Sequence, residues 1–236
     1  AVPEGFLFLR SGYVMQECAL NKLKYLLHMP ENYEIGKRYP AIVFLHGAGS
    51  RAEDFSKLQT NPFFRITKEH REFPFVVFAP LCTENTWFDL WDELKQLVCS
   101  AAQMPFVDGN QLYLMGCSMG GYGTWQLAMS MPEYFAAIVP ICGGGMYWNA
   151  GRLIHVPVWA FHGAKDQTVL AEESIKMVNK VNAAGGNALL TIYPENYHDA
   201  WSDTYANYEV FQWLLSHRKC SSSDLENEFS DADKFG

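Results

Sequence analysis

Residues 116–120 read Gly-Cys-Ser-Met-Gly, and no other stretch of the chain restricts its folding as tightly. The run before it, residues 109–115, opens on a Gly-Asn turn signal and closes on Leu-Tyr-Leu-Met, which predicts a turn leading into a buried strand. The run after it, residues 121–129, predicts a helix. A serine between glycines at such a junction fits G-x-S-x-G, in which the strand turns sharply into the helix and leaves the hydroxyl at the strand's carboxyl end. Glycines are needed on both sides because a Cβ there would meet the strand and helix packed alongside. Alone the pentapeptide is weak, since short Gly/Ser patterns recur by chance and a buried turn serine would look the same.

The rest of the chain alternates short apolar runs with helical stretches, the pattern of a mainly parallel sheet with helices on both faces. Strands are predicted at residues 5–10 and 23–29 as an N-terminal pair, then at 41–46, 75–80, 135–142, 156–162 and 188–193. With the strand before Ser118 this makes about eight. Helices are predicted at 90–103, at 170–184 closed by Gly185-Gly186, and at 204–217. Only about a dozen residues, 143–155, separate two of the strands. That leaves no room for a large lid, so an open site is expected.

The 236 residues, 49% of them hydrophobic, suit one domain over residues 1–219 followed by an acidic Ser/Asp/Glu-rich tail over 220–236. The tail holds five acids and one lysine and so supplies half of the formal net charge of -8. The body is only mildly acidic, which argues against a nucleic-acid partner. No apolar run approaches the roughly 20 residues that span a bilayer, which argues against a membrane partner. The six cysteines match neither a disulfide framework nor a zinc site. They favour a reducing compartment, and a cytoplasmic location is expected.

A serine hydroxyl is a poor nucleophile unless a base takes its proton and a third group orients that base. In a strand–serine–helix fold the acid follows the serine in the chain and the histidine comes last. Asp166, in the loop after the strand at 156–162, fills the first place; a helix N-cap is the plainer reading of the same residue. His198, between the last strand and the last helix, fills the second; a surface loop histidine is its plainer reading. His162 reads as a packing or loop-bonding residue. A further strand ends in His46-Gly47, after which the amide of Ala48 would pair with that of Met119 as an oxyanion hole, each donor worth about 3–4 kcal/mol. An ordinary glycine turn is the alternative there. Each piece has a bland explanation; the four together, in order after successive strands, do not. Trp87 and Trp201 fall on loops near these residues and are the expected pocket walls, with core packing the alternative for each.

Taken together, residues 39–49, 116–125, 161–166 and 198–201 resemble the α/β-hydrolase superfamily, in its group of single-domain carboxylesterases, which includes phospholipase/carboxylesterase, feruloyl-esterase-like and predicted-peptidase members. The similarity covers nearly the whole chain. It implies an α/β-hydrolase fold without a large lid, Ser118 as nucleophile, His198 as base and then acid, Asp166 as orienter, and Ala48 and Met119 as oxyanion donors. It also implies chemistry without a metal or organic cofactor. One departure is Cys117, whose thiol stands beside the nucleophile position but should point into packing.

The expected activity is hydrolysis of small-molecule carboxylic esters, short-chain or aromatic of hydroxycinnamoyl type, through an acyl-enzyme on Ser118. A serine peptidase using the same three residues is the alternative, and a non-catalytic ligand-binding protein on the same scaffold a second.

Overall fold

The computed structural model describes residues 14–219. The expected strand at 5–10 and the acidic tail lie outside that span. Strand β1 (Val14–Leu20) forms an antiparallel hairpin with β2 (Leu23–Met29), turning on Asn21, whose φ is 53°. This corrects the expected pairing. Among the described residues, 23–29 pairs with 14–20 on one side and with 77–80 on the other, and the exposed polar Glu17 hides the first of these from a search for apolar runs.

After β3 (Tyr39–Leu45) come two short helices, α1 (Ser56–Gln59) and α2 (Pro62–Thr67), and then β4 (Val76–Pro80). Helix α3 (Trp91–Ala102) leads to β5 (Val107–Cys117), and α4 (Met119–Ser130) to β6 (Ala137–Ile141). A single 3-10 turn (Tyr147–Leu153) occupies the short link to β7 (Val158–Gly163). Helix α5 (Ala171–Ala183) precedes β8 (Ala188–Tyr193). The helix expected at 204–217 is two, α6 (Ala200–Ala206) and α7 (Tyr208–Leu215), broken at Asn207, whose extended backbone and side-chain bond to the Glu209 amide cap the second. Among the described residues, no helix is long and apolar enough to cross a membrane.

The eight strands form one open sheet in the order β1-β2-β4-β3-β5-β6-β7-β8, parallel from β4 to β8. The inner parallel strands are apolar at successive positions because both faces are covered, whereas on β8 Leu189 and Ile192 are exposed. Ala41, Val43 and Leu45 pack with α3, α4 and α5, while Ile42 and Phe44 pack with α1, α2, α6 and α7. On the second face Phe44 stacks on Phe63 at 4.1 Å between centroids and meets Tyr205 edge-on. This anchors α6, which begins two residues after His198. The chain leaves β3 in one direction and β5 in the other. The crevice outside their carboxyl ends is therefore the topological switch point, the usual ligand site of an open parallel sheet.

Candidate active site

Ser118 stands at that point, at the carboxyl end of β5, with φ 54° and ψ -118°. A side-chain-bearing residue rarely adopts such a backbone, and the surroundings must enforce it. The Ser118 amide is tied to the carbonyl of Ile141 at 2.8 Å, and its carbonyl takes the amide of Tyr122 at 3.0 Å. Gly116 and Gly120 meet face to face inside the turn. A Cβ on Gly120 would run into the carbonyl of Leu45, and one on Gly116 into the carbonyl of Gly120. The turn thus needs its glycines for close approach.

The hydroxyl of Ser118 lies 2.8 Å from His198 Nε2, and His198 Nδ1 lies 2.6 Å from Asp166 Oδ2. The three predicted residues, 80 and 32 positions apart in the chain, are therefore one hydrogen-bonded row. The other carboxylate oxygen, Oδ1, accepts the amides of Thr168 and Val169, each at 2.9 Å. Asp166 thus closes the turn that follows it while bonding His198; it is not the helix N-cap of its plainer reading, since Leu170 holds that place before α5. Burial pushes its carboxyl up, but the His198 bond and the Val169 and Thr168 amides outweigh burial and hold it below the usual carboxylate range. It is an anion at neutral pH, and a neutral His198 bonded to it carries its proton on Nδ1, leaving Nε2 free to accept from Ser118.

The loops bearing the two side chains are stapled together. Ala164 N–H donates to Tyr193 O and Lys165 N–H to Asn196 O, each at 2.9 Å, and Lys165 pairs with Glu195. The ring of Trp201 stands perpendicular to that of His198, with centroids 5.4 Å apart.

Beside the nucleophile, the loop after β3 is set by His46. Its Nε2 accepts the Cys82 amide at 3.0 Å, so Nδ1 carries the proton and donates to Gly47 O at 2.8 Å. Burial lowers its pKa to about 4 against the opposing Gly47 bond, with Arg51 adding to the lowering; the imidazole stays neutral and this tautomer persists. Gly47 O also accepts the Ser50 amide. In a trans peptide the N–H points opposite to the C=O, so pinning Gly47 O inward turns the Ala48 N–H outward. Ala48 and Met119 are the first residues of a 3-10 turn and of α4, whose N–H groups lack partners within their own helices.

One expected wall is corrected. Trp87 is fully buried, donates its Nε1–H to His46 O at 3.0 Å and packs edge-on to the His46 ring. It holds the loop from beneath and presents no surface to a ligand. Its neighbours do: an apolar groove of about 490 Å³ runs alongside α4, lined by Phe88, Trp91, Tyr122, Gln126 and residues 144–146. Tyr122 escaped the sequence reading although it lies one helical turn beyond Ser118, on the same face, which is the spacing that would have found it.

Cys117 is buried, and burial raises its thiol pKa. It is a protonated packing group, and the hydroxyl next to it is the one bonded to a base.

Among the described residues, one set of side chains could hold a metal ion by proximity: Cys142, His162 and Asp166, with ligand atoms within 4.8 Å of one another. Their chemistry does not fit. Burial pushes the Cys142 thiol up to about 12, His162 Nε2 is committed to a backbone carbonyl at 2.8 Å, and Asp166 Oδ2 is committed to His198.

Comparison with known proteins gives the family and the fold. A model of the dienelactone hydrolase family matches residues 70–210, more than half of the chain. The "Probable feruloyl esterase C" of Aspergillus terreus is 25% identical over 166 residues, covering 68% of this chain and 61% of that protein. Dipeptidyl-peptidase 5 of Porphyromonas gingivalis is 21% identical over 222 residues, covering 72% of this chain and 32% of that protein. Among solved structures, a thermostable esterase superposes with a TM-score of 0.73 at 28% identity, over 88% of this chain and 63% of that one. The chain thus spans less than two thirds of the length of each of these three relatives.

Proposed function

Since the chain belongs to the dienelactone hydrolase family, within the α/β-hydrolase superfamily, we propose that it is a serine carboxylesterase acting on small short-chain or aromatic esters. The observation that carries this reading is the continuous row from Ser118 Oγ through His198 to a buried, ionised Asp166. His198 Nε2 takes the proton as Ser118 Oγ attacks the ester carbonyl. The negative charge develops on the carbonyl oxygen, between the amides of Ala48 and Met119. The alcohol leaves with the proton returned from His198, and the acyl group remains on Ser118. Water, deprotonated by His198, then releases the acid by the same steps in reverse order. Asp166 holds the imidazole in its tautomer and stabilises the imidazolium that forms twice per turnover. The apolar groove beside Tyr122 suits the apolar part of the ester, and Trp201 adds a wall beside His198.

The dipeptidyl-peptidase relative supports a second reading, a peptidase using the same row. Parallel assays with p-nitrophenyl esters and aminoacyl anilides separate the two. Esters are expected to turn over faster, and faster anilide turnover reverses the assignment. Fluorophosphonate labelling located by mass spectrometry tests the nucleophile; a folded protein with no adduct on Ser118 removes the catalytic reading altogether.

A further inference from the structure

The geometry points to His162 as a positioning residue for the acid, a second imidazole that holds Asp166 on the side away from solvent. This rests on the reading of Ser118, His198 and Asp166 given above. His162 is the penultimate residue of β7 and has no exposed side-chain surface. Its Nε2 lies 2.8 Å from the carbonyl of Val169 and 3.3 Å from Asp166 Oδ2. A carbonyl only accepts, so Nε2 carries a proton whatever the state of the rest of the ring. That N–H bonds Val169 O, and the same nitrogen sits against Asp166 Oδ2. Its Nδ1 lies 2.7 Å from Ser174 Oγ, which is itself 3.0 Å from Gly143 O.

Two consequences follow. First, the carboxylate of Asp166 is held by three N–H groups, two amides on Oδ1 and His198 on Oδ2, with His162 Nε2 a further polar contact 3.3 Å from Oδ2. Val169 takes part twice, giving its N–H to the carboxylate and its C=O to His162, which closes the turn on itself. Rotation of the carboxylate, which would spoil the His198 bond, must break several contacts at once. Second, the two imidazoles share Oδ2. The His162 contact draws off part of the negative charge that would otherwise make His198 more basic. His162 therefore trades some basicity of His198 for its orientation.

This trade has a signature that a merely structural role lacks. Removing the donor should slow the reaction while making His198 a stronger base. For p-nitrophenyl acetate, His162→Leu is expected to lower kcat roughly ten- to a hundredfold, the range for a bond to a charged group, with KM little changed. The acid limb of its kcat/KM profile moves to higher pH. His162→Gln, whose amide nitrogen reaches the same place, recovers most of the rate and returns the limb. Ser174→Ala keeps the imidazole but frees its far side, and gives the same changes at smaller size. If the Leu variant does not fold, Ser174→Ala decides. Wild-type kcat and acid limb in the folded variants overturn the proposal. So does equal impairment of the Gln and Leu variants, which assigns the loss to packing. Fluorophosphonate labelling of the wild type separates the two levels of failure. An unlabelled Ser118 removes the reading of the site, and this inference with it. A labelled Ser118 with indifferent His162 variants removes the inference alone.

Discussion

The hydrogen-bonded row and the apolar groove alongside α4 are built differently. In the row, Ser118, His198 and Asp166 are held by backbone: a left-handed turn closed by glycines, two loops stapled by amide–carbonyl bonds, and a carboxylate gripped by amides. The groove is made of side chains with little above them, and Phe88, Met146, Tyr147 and Trp148 are exposed. The first arrangement leaves few degrees of freedom, because a reacting atom misplaced by an ångström costs orders of magnitude in rate. The second tolerates exchange, because apolar walls act through area and shape. Substitutions should therefore be ruinous in the first and selective in the second.

The largest break is on the chemical side. Ser118→Ala is expected to lower kcat by on the order of 10⁶-fold. Asp166→Asn keeps the shape but loses the anion, and lets the amide impose the wrong tautomer on His198; a loss of about 10⁴-fold in kcat is expected. A ten- to twentyfold loss in a steady-state ester assay would mean that the row is not the reacting unit.

The oxyanion loop comes next. Ala48→Pro deletes one N–H without disturbing the fold, since Ala48 is the first residue of its helical turn and the φ of -76° and ψ of 170° at Gly47 suit a residue before proline. A loss of about 10²–10³-fold in kcat with unchanged melting temperature is expected if that amide meets the developing charge. An unchanged kcat removes Ala48 from the role.

How much of this could be read in advance divides along the same line. The order serine, acid, histidine and the strand ends that carry them were legible, because each follows from chain topology and one short motif; β8 runs over the expected 188–193. Less legible was whatever depends on which way a side chain turns. Trp87 and Phe88 are adjacent and equally apolar, yet one is sealed under the His46 loop and the other half-exposed in the groove. Both lie in a 3-10 turn, Trp87–Leu90, where neighbouring residues face different ways, and only the packed neighbours decide which faces in. Asn207 likewise broke a helix whose apolar periodicity ran through it, because a local cap outbid the pattern. His162 reads as a loop-bonding residue, and its contact with Asp166 depends on how the turn over 166–169 folds back onto β7.

The chemical side also carries an acid-labile support. Burial lowers the pKa of His46 to about 4 and that of His28, which packs near Phe64 and Phe73 towards the opposite end of the sheet, to about 4. Both are below the unfolded value near 6.5. Above that pH neither state binds the proton and nothing is lost. As pH falls towards 4 the unfolded chain binds it first, so stability drops by up to about 3 kcal/mol per histidine, and the loss is complete below the folded pKa. Urea unfolding at pH 7, 5.5 and 4 is expected to show this fall, and His28→Phe to reduce it while leaving the part due to His46. An equal fall in the variant would mean that His28 is not buried neutral.

The smallest effect should come from the groove, and its form matters more than its size. Phe88 is half-exposed, so its truncation removes contact area from a bound ester without leaving a core cavity. An aromatic contact of this kind is worth about 0.5–1.5 kcal/mol. Phe88→Ala is therefore expected to lower kcat/KM for a methyl hydroxycinnamate relative to a short-chain acetyl ester by up to about tenfold, chiefly through KM. Trp87→Phe, one residue away, should behave in the opposite manner. Losing the bond to His46 O loosens the loop that turns the Ala48 amide outward, so kcat should fall for both esters alike. If Phe88→Ala instead slowed both esters equally, the groove would belong to the chemical machinery, and the division between an over-determined centre and an exchangeable wall would fail at that residue.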